Sequence, residues 1–106
     1  MHFSKLFRVK AGKLERVLAW METLATGRRE EAIATFNYEN VTREVVTLFE
    51  GEDGSYYLIG LNEAREPYRT GDPDVQINQE HAAFKKECLD PISKKGRVLL
   101  DLRADE

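Results

Sequence analysis

With 106 residues the chain has room for one domain and no second core. Hydrophobic residues at 42% against 33% charged are ordinary globular composition and exclude a disordered chain. A net charge of −3, with the basic residues only in isolated pairs such as Arg28-Arg29, Lys85-Lys86 and Lys94-Lys95, argues against nucleic-acid binding.

The opening "MHFSKLFRVK" alternates charged and apolar residues, so it reads as neither a signal peptide nor a membrane span. A cytoplasmic protein without membrane association is expected. The lone Cys88 fits a reducing compartment. Residues 3–9 alternate as a strand, with Phe3, Phe7 and Val9 on one side. Leu14, Val17, Leu18, Met21 and Leu24 then recur at helical spacing until Gly27, and "REEAIATF" continues with a weaker pattern, predicting a bend or a short second helical piece.

"TREVVTLFE" and "SYYLIGL" are strand-like runs around "GEDG", whose Asp53-Gly54 pair predicts a tight hairpin. With those two as the turn residues, Glu50 faces Tyr57, Leu48 faces Ile59, Val46 faces Leu61 and Glu44 faces Glu63. Glu44, Val46, Leu48, Tyr57, Ile59 and Leu61 then share one face, leaving Phe49 and Leu58 on the other. Residues 62–76 carry Pro67, Gly71 and Pro73 without a sustained period, which predicts a mobile cover over one end of the sheet. A helix follows, capped by Asp74 or Asn78 and running to about Leu89, and "GRVLLDLRA" is expected to close the chain as a fourth strand.

The order βαββαβ is that of a ferredoxin-like α+β domain, an antiparallel four-stranded sheet with helices on one face. Its second sheet face is apolar, which a homodimer joined sheet to sheet would cover.

The residues "FRVKAGKLERV..WM", "REVV" and "IN..H..F..EC" resemble a family of small bacterial proteins of unknown function assigned to the dimeric α/β-barrel superfamily. The resemblance spans nearly the whole chain and implies a ferredoxin-like fold and a dimer, without an activity. The wider superfamily it resembles includes antibiotic-biosynthesis monooxygenases, mutarotases and haem-associated proteins. Asn78 stands where the resembling helices often begin with Asp.

His81 is the main functional clue. Ile77, His81, Phe84 and Cys88 form one helical stripe, which places the imidazole against the sheet. In the first turn after an Asn78 cap, burial and the helix dipole would both keep it neutral. It is either a core histidine satisfied by a carbonyl or carboxylate, or a pocket base or ligand donor. Glu44 is its candidate carboxylate partner, and the alternative for Glu44 is a rim residue in water. Trp20, Tyr57 and Cys88 could line the same space, although each is also a reasonable packing residue. His81 and Cys88 are seven residues apart on a helix, roughly 10 Å along its axis, too far to share a metal ion easily. Neither a metal nor a cofactor is expected. The reading is a cofactor-independent enzyme or binder of small molecules with its pocket between sheet and helices; the alternative is a non-catalytic dimeric module with a structural histidine.

Overall fold

The computed structural model describes residues 1–105. Its elements are β1 (His2–Val9), α1 (Leu14–Ala25), α2 (Arg29–Glu39), β2 (Val41–Glu50), β3 (Tyr56–Ala64), α3 (Gln76–Cys88) and β4 (Leu89–Pro91). All strand pairs are antiparallel in the order β2-β3-β1-β4, so the fold is the ferredoxin-like βαββαβ plan with two helices in its first crossover.

The second helical piece is a full helix. Thr26 ends α1 by returning its backbone N–H and its hydroxyl to the Glu22 carbonyl, and the Arg28 N–H goes to Thr23 O, so the chain turns without stranding backbone donors. At the far end of α2, Asn40 takes a left-handed φ of 63°, which an asparagine tolerates, and its N–H closes onto Phe36 O.

The hairpin register differs from the expectation by one residue on β3. Gly51 and Ser55 pair, the Gly54 N–H returns to Gly51 O, and Gly54 has a φ of +81°. The loop is therefore Glu52, Asp53 and Gly54, a turn followed by a left-handed glycine, in place of a two-residue turn. Glu50 pairs with Tyr56, Leu48 with Leu58, Val46 with Gly60 and Glu44 with Asn62. A one-residue slip turns a strand over. Leu58 consequently lies beneath the helices at 3% exposure, and Tyr57, Ile59 and Leu61 move to the outer face with Phe49.

The fourth strand also differs. It begins immediately after α3, with Leu89 opposite Val9 and Pro91 opposite Phe7, and the Lys10 N–H on Cys88 O anchors its start. Pro91 has no N–H to extend a ladder, and the Ser93 hydroxyl, in place of a backbone carbonyl, accepts from the Leu6 N–H. Residues 92–105 run beside β1 as irregular chain, held by Ile92 N–H on Leu6 O and Gly96 N–H on Ser4 O. Leu99, Leu100 and Leu102, expected inside a strand, are 74–82% exposed. His2 opens β1 opposite Glu63.

The core is Val9, Val17, Trp20, Leu58, Ile77, Phe84, Cys88 and Leu89, with Phe7, Met21 and Leu24 packed against it. It joins α1 and α3 to the β1, β3 and β4 part of the sheet. Residues 65–75 fold back on the end of α2 through Arg65 N–H to Asn40 O, Arg69 N–H to Glu39 O and the Arg69 guanidinium to Tyr38 O.

Candidate functional site

Between the sheet and its helices lies a cleft of two lobes, each of about 480 Å³, that share Met21, Glu39, Glu44, Val46, Leu58 and His81. The first lobe is largely apolar, walled by Leu24 of α1, Ile33 and Phe36 of α2 and Leu48 of β2, with Arg29, Thr35 and Asn78 on its border. The second is more polar, bordered by Lys5, Asn62, Lys85 and Lys95 with Phe3, Tyr68 and Phe84. His81 and Glu44 stand at the waist.

His81 is placed by α3, whose Ile77, Phe84 and Cys88 are buried on the same stripe. The cap is not the one expected: Val75 is the N-cap, and neither Asp74 nor Asn78 caps with its side chain. Asp72 takes that region's donors instead, its carboxylate accepting from the Asp74 N–H and its carbonyl from the Asn78 amide. The helix thus starts a few residues earlier, and His81 lies in its second turn, beyond the strongest part of the dipole.

The partner of His81 is neither a carboxylate nor a carbonyl. Trp20 Nε1–H donates to His81 Nδ1 at 2.9 Å. An indole N–H can only donate, so Nδ1 is an acceptor and the proton of the neutral imidazole sits on Nε2. Burial first and nearby Lys85 second lower the His81 pKa to about 4, which keeps the ring neutral at ordinary pH. Phe84 completes an aromatic cluster, its ring centroid 5.9 Å from Trp20 and 5.8 Å from His81. Arg16 and Arg28 each lie 5.8 Å from the Trp20 ring, and Arg28 ties the α1–α2 junction to α3 by pairing with Glu80. Tautomer and ring orientation are fixed together. Among the described residues none accepts from Nε2–H, leaving it as the group His81 can offer to the cleft.

Glu44 reaches the cleft from β2, directly across from Asn62. Its surface is open to water, yet protein surrounds it on most sides because it stands in a concavity. That partial loss of solvent raises its pKa, Glu39 raises it further, and Lys85 opposes. It makes no hydrogen bond to His81.

Of the other residues singled out from the sequence, Trp20 is at the site through His81. Tyr57 is on the opposite face, where its hydroxyl accepts from Arg8 at 3.2 Å, because of the three-residue hairpin loop. Cys88 is fully buried in the core and borders neither lobe, and burial pushes its thiol pKa up. Residues not expected at the site are Lys5, Glu39, Gly60, Asn62, Lys85 and Lys95, which all border the polar lobe. Only alternation along β3 could have pointed to Asn62, and only with the right register. Asn62 Oδ1 is buried with no hydrogen-bond partner among the described residues.

Among the described residues no group of three His, Cys, Asp or Glu is arranged to hold a metal ion, and no helix is long and apolar enough to cross a membrane. The molecule is thus an α+β domain of ferredoxin-like topology with an open cleft between its sheet and helices. The chain belongs to a family of unknown function, DUF6176, whose model matches residues 3–106. No curated protein and no solved structure matches it.

Proposed function

We propose that the cleft takes a small molecule, as a cofactor-independent enzyme or as a binding protein, with His81 and Glu44 as its polar pair. The observation that carries this reading is the position of both residues at the waist of two lobes of about 480 Å³ each, inside the usual range for ligand sites. Their chemistry is complementary. Neutral His81 is a poor base, because Nδ1 is taken and Nε2 is protonated, but a good donor to a substrate oxygen. Glu44, with its raised pKa, is the proton acceptor. A carboxylate base beside a neutral imidazole donor is an arrangement that enzymes use to remove a proton next to a carbonyl.

The test is an amide NMR titration of the protein with a mixture of small metabolites, read at the indole N–H of Trp20, the chain's single tryptophan. Shifts confined to Trp20, His81, Glu44, Gly60 and Asn62 are expected. A mixture that leaves all of them unmoved sinks the reading.

A second reading is favoured by the outer sheet face, where Phe49 is 49% exposed and Ile59 and Leu61 each 36%, and by the exposed leucines after β4. In this reading the protein is a cytoplasmic homodimer whose apolar surface serves self-association and whose histidine serves only to hold Trp20. Sedimentation at micromolar concentration then shows a two-fold particle, which Phe49→Lys dissociates. A stable monomer rejects it.

A further inference from the structure

The two lobes of the cleft differ in charge, and that difference says what kind of molecule fits. Lys5 from β1, Lys85 from α3 and Lys95 from the segment after β4 all border the polar lobe. The ion pairs of the described residues involve His2, Lys10, Lys13, Arg16 and Arg28, and none of these three lysines. Lys95 instead places its Nζ 4.0 Å from the centre of the Phe3 ring. Three lysines from three separate parts of the chain thus border one end of the cleft without a direct ion pair among the described residues, with Lys85 near enough to Glu44 to oppose the rise of its pKa.

The opposite lobe presents Leu24, Ile33, Phe36 and Leu48, with Met21 and Val46 continuing into the waist and a single cation, the exposed Arg29, on its border. Glu39 and Glu44 occupy that waist, so a second anionic group on a ligand would meet repulsion there. Asn62 Oδ1 adds a buried acceptor that lacks a donor among the described residues. An uncompensated buried acceptor is costly, and a ligand O–H or N–H would satisfy it.

Building on the small-molecule reading above, we propose that the cleft recognises an amphipathic monocarboxylate. Its carboxylate seats among Lys5, Lys85 and Lys95, a hydroxyl close to the carboxylate donates to Asn62 Oδ1, and the apolar body crosses the waist into the lobe under α2. The chemical class is a medium-chain or arylalkyl hydroxy acid. A dicarboxylate is disfavoured because its second carboxylate would have to pass Glu39 and Glu44 at the waist before it could reach Arg29 at the border of the far lobe.

The test uses the intact protein, with calorimetry and Trp20 emission as parallel readouts, and five probes below their micelle concentrations: octanoate, 3-hydroxyoctanoate, 1-octanol, octylammonium and octanedioate. Octanoate is expected to bind at least about tenfold tighter than the alcohol, the ammonium or the diacid, the scale of one well-formed charge-assisted contact. Replacing Lys85 and Lys95 together by glutamine should erase that preference while leaving octanol affinity unchanged. The 3-hydroxy acid should bind tighter still, and Asn62→Leu should remove that gain alone. Equal binding of octanoate and octanol, or a preference that survives the lysine replacements, overturns the proposal while the small-molecule reading stands. A hydroxy acid no better than octanoate removes the role given to Asn62. Silence from both readouts with all five probes overturns the monocarboxylate proposal, and the metabolite titration at Trp20 then decides separately whether the cleft binds anything.

Discussion

On the β1 side of β3, Trp20, Ile77 and Phe84 come down onto Val9 and Leu58 and leave each of the five no more than 6% exposed, whereas on the β2 side Val46 and Leu48 remain 36% and 39% exposed although they point to the same face. The sheet is continuous beneath both regions, so the difference lies in the helices. α1 buries Val17 and Trp20, and α3 buries Ile77, Phe84 and Cys88, each from a single stripe. α2 buries nothing fully. In "REEAIATFNYE" the polar residues are spread around the whole circumference, so no apolar stripe exists to press onto β2. Ala32, Ile33 and Phe36 roof the space without filling it. One half of the domain is therefore core and the other half is cleft, and the distinction is written in helix patterning.

The contrast is broken most directly by truncating one residue on each side. Phe84→Ala removes a ring that is 1% exposed, and a loss of about 3–5 kcal/mol is expected. Leu48→Ala removes a side chain that already meets solvent and should cost no more than about 1 kcal/mol. Urea unfolding of the two variants measures both. Similar losses would mean that the β2 side is packed in solution and that the cleft closes.

His81 belongs to the boundary between the two regions, and pH probes it. Its folded pKa of about 4 lies below the unperturbed value of about 6.5, so the unfolded chain binds the proton first as pH falls. The contribution is fully present above pH ~6.5 and is lost as pH drops toward 4, by up to about 3 kcal/mol. Glu44 works with the opposite sign. Its raised pKa makes the folded state the better proton binder, so its contribution is present on the acid side and lost as pH rises through its folded pKa. His81→Gln, whose amide oxygen can still accept from Trp20, should flatten the stability profile between pH 4 and 6.5. An unchanged slope would assign the dependence to other groups.

How far this was readable from the sequence depends on what each inference required. Helical spacing alone put His81 on the buried stripe with Phe84 and Cys88, and strand alternation alone put Glu44 on one face with Val46 and Leu48. Both are local periodicities. The partner of His81 was not local: Trp20 is 61 positions away, and an indole donor is easily overlooked where a carboxylate is sought. Alternation puts Tyr57 on the wrong face because a two-residue and a three-residue turn fit "GEDG" equally well, and the choice inverts every residue of β3. The run from Val98 to Leu102 reads as a strand because its residues are apolar, yet β4 is already placed on the free edge of β1 when that run arrives. Lys5, Lys85 and Lys95 could not be grouped from the sequence at all, since β1, α3 and the segment after β4 bring them together only through the tertiary fold.

The smallest expected change in stability tests the same contrast from inside the cleft. Gly60 lies in β3 between its partners Lys5 and Val46, and it is not among the glycines of positive φ. A Cβ built there meets nothing within 4 Å, so a side chain would enter the polar lobe without striking protein. Glycine in a strand interior loses chain entropy on folding and has no side chain to pack, at about 0.5–1 kcal/mol relative to a residue with a Cβ. Gly60→Val should therefore raise stability by about that amount, since valine suits an extended backbone. Its two methyl groups would stand beside Asn62 and Glu44, in the space assigned to the ligand, and affinity for octanoate should fall at least about tenfold. Gain of stability with loss of binding is the signature of a cleft kept open for function. Thermal unfolding and calorimetry on this one variant measure both, and a Gly60→Val protein that binds octanoate as tightly as the parent would place the binding site elsewhere.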